Sequence, residues 1–109
     1  MITWEDFKKV DMRVGTVLNA EDFPEAKKQA YKLEIDFGPL GIKKTSAQIT
    51  KLYKKEDLVN KQVIAVVNFP PKQIANFVSE VLVLGVVGKE NEVILLELDK
   101  KADNGLRIA

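Results

Sequence analysis

The chain contains neither cysteine nor histidine among its 109 residues. Disulfide scaffolds, thiol nucleophiles, zinc–thiolate sites and histidine acid–base catalysis are therefore excluded. Ser46 and Ser79 are its only serines, and a serine nucleophile needs an adjacent base. The segment GVVGKE at 85–90 lacks the spacing and the Ser/Thr of a phosphate-binding loop. We therefore expect a binding protein and no enzyme, with no metal and no cofactor.

Long apolar runs are also missing. No stretch reaches the roughly 18 residues of a membrane span, and the N-terminal MITWEDFKKVDMRV has acidic residues where a signal peptide would be apolar. Absence of cysteine fits a reducing compartment. We expect a cytoplasmic protein without membrane insertion. Because the sequence contains no linker or internal repeat, residues 1–109 are expected to form a single domain.

Charge is unevenly distributed although the net charge is only +1. Residues 1–25 carry three basic and six acidic side chains, residues 26–72 ten and four, and residues 73–109 four and six. The middle third is therefore basic, as is typical of nucleic-acid-binding surfaces. The alternative is a lysine-rich face that is merely solvated.

Hydrophobic periodicity predicts a mainly β chain. Thr3 and Asp6 favour a capped helix at about residues 4–9, and alternation predicts a strand from residue 11 with a bulge or bend at Gly15. A hairpin turning at GPLG follows, and its Glu34 and Asp36 are better read as a solvated face than as a catalytic carboxylate pair. Ser46 is a candidate cap for a short helix containing Ile49, Leu52 and Tyr53.

Three further apolar runs complete the pattern: KQVIAVVN, SEVLVLGVV and EVILLEL, before a turn and a last short strand in DNGLRIA. A helix between the third and fourth strands of a small β chain is the layout of the OB-fold. We therefore predict an all-β fold, a five-stranded Greek-key OB barrel, with an N-terminal helix and a C-terminal strand as extensions. Edges of so small a barrel need covering, which favours a homodimer.

The segment at 68–85, NFPPKQIANFVSEVLVLG, is long and apolar for a connector. We predict that it forms the lip of a binding groove, with Phe69, Pro70, Pro71 and Phe77 as peptide-binding residues. Both Phe rings could instead stack on bases, or pack in the core or in a dimer interface. Asn68 and Ser79 could read a base or phosphate, or could simply cap the loop backbone. Lysines of the basic third are candidate RNA contacts: Lys43, Lys44, Lys51 and Lys72.

Six segments resemble the tRNA-binding domain family: DMRVG at 11–15, FPEAKK at 23–28, EIDFG at 34–38, SAQIT at 46–50, VVNFPPKQIANFVSEVLVLG at 66–85 and DNGLRI at 103–108. This family includes domains of methionyl- and phenylalanyl-tRNA synthetases and free-standing secretion chaperones, and the likeness to the chaperones is strongest. The resemblance implies an OB-fold, a homodimer, and binding of tRNA. It adds further RNA-binding positions at Arg13, Ser46, Asn68, Ser79 and Glu80.

For the chaperone branch the resemblance also implies binding of unfolded, export-competent polypeptides and a link to the secretion machinery. The alternative is a free-standing, structure-selective tRNA-binding protein with no chaperone role. Val81 and Leu82 stand where the wider family has Gly-Met, and Asn76 replaces a common glycine. Both changes leave a more apolar cleft, which favours peptide as the ligand.

Overall fold

The computed structural model describes all 109 residues. Helix α1 precedes three long strands, a short 3-10 helix interrupts the second hairpin, and helix α2 precedes the remaining strands. The bounds are α1 Trp4–Lys8, β1 Met12–Asp22, β2 Tyr31–Asp36, the 3-10 helix Gly38–Leu40, β3 Ile42–Ala47, α2 Lys55–Leu58, β4 Gln62–Val66, β5 Lys72–Ile74, β6 Phe77–Ser79, β7 Leu82–Val83, β8 Gly85–Val87 and β9 Val93–Leu95.

Five of these strands form one antiparallel sheet in the order β3-β2-β1-β4-β7. The sheet curls until β3 meets the segment that joins β6 to β7, where the amide of Glu80 donates to the carbonyl of Lys44 over 2.8 Å. The predicted OB-fold barrel, nearly closed and with a helix between its third and fourth strands, is confirmed. Its interior holds a continuous apolar cluster that includes Val17, Leu33, Ile35, Leu58 and Val63.

Gly15 has a different role from the predicted one. The register shift of β1 lies between Val17 and Asn19, so the bulge is displaced from the glycine. A Cβ at position 15 would lie 2.6 Å from the Ile35 side chain and 2.7 Å from the Phe37 ring. These two large side chains cross β1 where only a glycine leaves room.

The helix predicted after Ser46 is wrong in position. Ser46 belongs to β3, Ile49 is buried, and the single helical turn α2 begins only at Lys55. The segment is a loop that turns the side chain of Ile49 into the barrel. Leu58 of α2 packs in the same apolar cluster. Lys55 donates to the carboxylate of Asp22 over 2.8 Å, and this hydrogen bond, with the charge of Asp22, raises the pKa of Lys55.

The apolar run at 79–87 forms two short strands after β6 instead of one continuous strand. The amide of Leu84 still donates to Ile64 of β4 over 2.8 Å, but from Gly85 onward the chain pairs with β9. A Cβ at Gly85 would lie 2.5 Å from Val93, so this strand change also depends on the absence of a side chain. The loop predicted at 68–85 contains its own hairpin, β5 with β6.

Both termini pack beside the first half of β1. Thr3 caps α1 as predicted, and its reciprocal hydrogen bonds with Asp6 make a complete capping box. The predicted last strand is reduced to one bridge between Arg107 and Arg13, reinforced by the amide of Ile108, which donates to Met12 over 2.8 Å. None of the helices has the length and hydropathy needed to span a membrane.

Candidate functional site

A groove of about 460 Å³ opens beside the β5–β6 hairpin, and its lining is mainly apolar. Its floor is the outward side of the end of β3 and the segment between β6 and β7. Its lip is the Phe-Pro segment that follows β4. The lining residues are Ser46, Phe69, Pro70, Lys72, Ile74, Ser79, Glu80, Val81 and Leu82. Six of the predicted site residues are therefore brought together here: Ser46, Phe69, Pro70, Lys72, Ser79 and Glu80.

Ser79 closes the barrel below the groove. Its hydroxyl accepts from the amide of Ser46 over 3.2 Å and lies 3.1 Å from the hydroxyl of Thr45. Thr45 is completely buried and donates to the carbonyl of Val81 over 2.7 Å. The Ser79 hydroxyl is therefore engaged inside the protein, by the Ser46 amide and by the Thr45 hydroxyl.

Glu80 has one oxygen engaged and one free. Its Oε1 accepts from the amide of Lys44 over 3.0 Å, as a neighbouring strand carbonyl would. Its other oxygen, the Ser46 hydroxyl and the Lys72 ammonium have no partner within the chain. These three groups are the polar atoms that the groove offers to a ligand, and no carboxylate neutralises Lys72 by an ion pair.

Asn68 anchors the lip. Its side-chain amide donates to the carbonyl of Lys9 over 2.7 Å, and its oxygen accepts from the amide of Asp11 over 3.0 Å. Both bonds continue the ladder between β1 and β4 by one further step. Of the two interpretations of Asn68, capping of backbone groups fits this geometry, and the chain leaves the barrel at the next residue, Phe69.

Arg13 lies among the chain termini and outside the groove. Its guanidinium donates to the Asp11 carboxylate over 2.6 Å and to the carbonyl of Gly105 over 3.0 Å. Arg107 shares Asp11 at 3.9 Å and donates to the carbonyl of Lys8. Arg13 thus ties the C-terminal segment to β1.

The two Phe rings of the lip segment do not share a pocket. Phe69 is 53% exposed at the groove. Phe77 is half-buried and packs edge-on against Phe23, with 5.5 Å between ring centroids. It borders a separate shallow cleft on the outer face of β1–β3, where Lys32 and Lys44 are mixed with acidic residues, Glu21 and Glu34.

The predicted basic residues are also divided. Lys43 and Lys44 are adjacent in β3 and therefore project to opposite faces. Lys51 lies in a further cleft with Lys28, and only Lys72 lines the groove. Pro71 is exposed beside the lip without lining the groove. Sequence reasoning missed Thr45 and Ile74, although alternation along β3 places Thr45 on the inward row with Ala47.

Residues 12–107 match the family model of the putative tRNA binding domain. The chain belongs to the tRNA-binding domain family. Among curated members, the methionine–tRNA ligase of Thermococcus onnurineus is 36% identical over 98% of this chain, and that of Methanocaldococcus jannaschii is 39% identical over 93%. The chain spans only 14% and 15% of the length of these two ligases, so their ligase activity does not follow from the match.

Solved structures extend the likeness to whole chains. The chaperone CsaA of Bacillus anthracis is 54% identical with a TM-score of 0.96, covering 100% of this chain and 99% of its own. CsaA of Picrophilus torridus is 57% identical with a TM-score of 0.94 and full coverage of both chains. The resemblance predicted from the six segments, including its chaperone branch, is confirmed.

Proposed function

We propose that the chain is a CsaA-like molecular chaperone that binds unfolded, export-competent polypeptides in the apolar groove. The groove itself carries this proposal. Phe69 and Leu82 expose 53% and 49% of their surface along a concave wall. Apolar surface of this kind gains free energy when an apolar side chain of a ligand covers it. Similarity to two CsaA chaperones at 54% and 57% identity supports the same function.

Polar groups of the groove fit an extended polypeptide. The Lys72 ammonium and the Ser46 hydroxyl can donate to peptide carbonyls, and the free oxygen of Glu80 can accept from a peptide amide. Every polypeptide carries these backbone groups. Recognition through them, together with apolar contacts, is tolerant of sequence, as a chaperone requires.

A matched pair of leucine variants tests the proposal. Leu82 lines the groove at 49% exposure, whereas Leu52 is 53% exposed in the loop before α2 and outside the groove. Leu82→Asp should abolish binding of a permanently unfolded polypeptide, measured by fluorescence titration, and Leu52→Asp should bind like the unchanged protein. Equal effects of the two variants, or none from Leu82→Asp, would refute the groove as the polypeptide site.

Binding of tRNA is the second candidate function. The description of the matched family favours it, as does the excess of basic residues at 26–72. Titration with labelled tRNA, alone and in the presence of unfolded polypeptide, separates the candidates. Displacement of tRNA by polypeptide is expected if both use the groove, because Lys72 would contact either ligand.

We also propose a homodimer. Trp4 on α1 is 65% exposed, and Leu106 in the C-terminal segment is 54% exposed. Apolar side chains at this exposure on both termini are the kind of surface that a second copy covers. The clients would be held in the cytoplasm before export, and the secretion machinery would receive them.

A further inference from the structure

A second cleft lies beyond the end of β3 and differs in chemistry from the groove. It has a volume of about 530 Å³ and is formed by the loop between β1 and β2, the segment after β3, and the β8–β9 hairpin. Val87 and Val93 line it together with six polar residues: Lys28, Gln29, Gln48, Thr50, Lys51 and Asn91. We call this set the polar cleft.

The two lysines of the polar cleft form no ion pair. Neither Lys28 nor Lys51 belongs to any of the ion pairs of the chain. Glu90 and Glu92 flank Asn91 on the hairpin turn, but neither side chain lines the cleft. The carboxylate of Glu92 lies against Gly88. Of the five main clefts, the polar cleft alone holds lysines and no carboxylate. This combination fits an anionic ligand.

Lys51 is held in place for such a ligand. Its ammonium donates to the backbone carbonyl of Glu90 across the cleft. An ammonium has three donors, so two remain for a ligand, and the side chain has already lost part of its rotational freedom. Gln29, Gln48 and Asn91 add amide groups, which can bond phosphate oxygens or ribose 2′-hydroxyls.

The end of β3 brings the polar cleft close to the groove. Gln48 of the cleft is two residues from Ser46 of the groove, a separation of at most about 7 Å between Cα atoms. OB-folds bind single strands of about 4 nucleotides or more, so a strand in the groove must continue along the barrel. The alternative path, over the outer face of β1–β3, passes the carboxylates of Glu21 and Glu34. Charge therefore selects the polar cleft.

We infer that the polar cleft binds the sugar–phosphate backbone of tRNA as it leaves the groove, with Lys28 and Lys51 as the phosphate contacts. This inference rests on the second candidate function, binding of tRNA. Polypeptide binding does not depend on it, because the polypeptide site is the apolar groove.

The test compares two double variants of equal charge. Lys28→Ala with Lys51→Ala changes the polar cleft. Lys100→Ala with Lys101→Ala changes a different cleft, in which Asp57 and Glu97 accompany the lysines. The dissociation constant for tRNA is measured at a series of salt concentrations for both variants and for the unchanged protein, and thermal melting checks that each variant is folded.

Log affinity falls with log salt, and loss of two phosphate contacts should make this negative slope shallower by about 1.4 to 1.8. This reduction is expected only in the polar-cleft variant, with unchanged binding of unfolded polypeptide. An equal reduction in both variants, or none in either, would overturn the inference while tRNA binding itself stands. Failure of the unchanged protein to bind tRNA would overturn tRNA binding and the inference together.

Discussion

Replacement of Phe69 by Ala separates a ligand-binding aromatic from a structural one. Phe69 is 53% exposed, and a Phe side chain offers about 200 Å², so about 100 Å² is open to a ligand. At about 25 cal/mol per Å² this area contributes about 2.5 kcal/mol. Ordering of the ligand offsets part of it, which leaves about 2 kcal/mol, or about a thirtyfold loss of affinity for unfolded polypeptide.

Phe77→Ala provides the matched control. Phe77 is half-buried and packs edge-on against Phe23. Its removal should lower the free energy of unfolding by about 2 kcal/mol, since aromatic pairs contribute beyond their buried area. Polypeptide affinity of the folded variant should stay within about threefold of the unchanged protein, or about 0.7 kcal/mol.

Thermal melts and fluorescence titrations on the same samples measure both quantities. Phe69→Ala should melt close to the unchanged protein and bind weakly, and Phe77→Ala should melt early and bind well. If Phe69→Ala destabilises the protein more than Phe77→Ala does and leaves affinity unchanged, Phe69 is a packing residue. The argument for the groove would then fail.

Three further predictions concern the barrel, the lip and the termini. Gly15→Ala should lower the free energy of unfolding in urea by about 1–3 kcal/mol, because the added methyl meets Ile35 and Phe37; unchanged stability would contradict this contact. Asn68→Ala removes two hydrogen bonds to backbone and should cost about 1–2 kcal/mol of stability. It should also weaken polypeptide binding, because the lip loses its attachment to the barrel; unchanged affinity would contradict this role of Asn68. Light scattering should give twice the chain mass of 12.2 kDa at micromolar concentration, and Trp4→Ala should shift the mass toward the monomer; a monomeric unchanged protein would refute the dimer.

Sequence patterns predicted those parts of the fold that depend on local spacing. Alternation along β1 and β2, the turn at GPLG and the capping box of Thr3 and Asp6 are each set by neighbours in the chain. The helix near Ile49 was misplaced because an apolar residue in a loop can be buried by its surroundings and then imitates helical spacing. The role of Gly15 also depended on side chains of another strand, which no local pattern contains.

In the candidate site, too, local patterns predicted some features and contacts between distant residues decided the others. Proline and phenylalanine in the segment after β4 indicated a lip, and Phe69 and Pro70 do line the groove. The partnership of Ser79 with Thr45 depends on closure of the barrel between β3 and the chain after β6. The separation of Phe77 from Phe69 depends on Phe23, which comes from a loop distant in sequence.

The most direct test of the central claim is amide-resolved NMR of the labelled chain during titration with a permanently unfolded polypeptide. We expect shifts concentrated at residues 69, 72–74 and 79–82 and at Ser46, with residues near Lys100 and Lys101 unmoved. Shifts confined to the outer face of β1–β3 or to α1, with an unperturbed groove, would contradict the account.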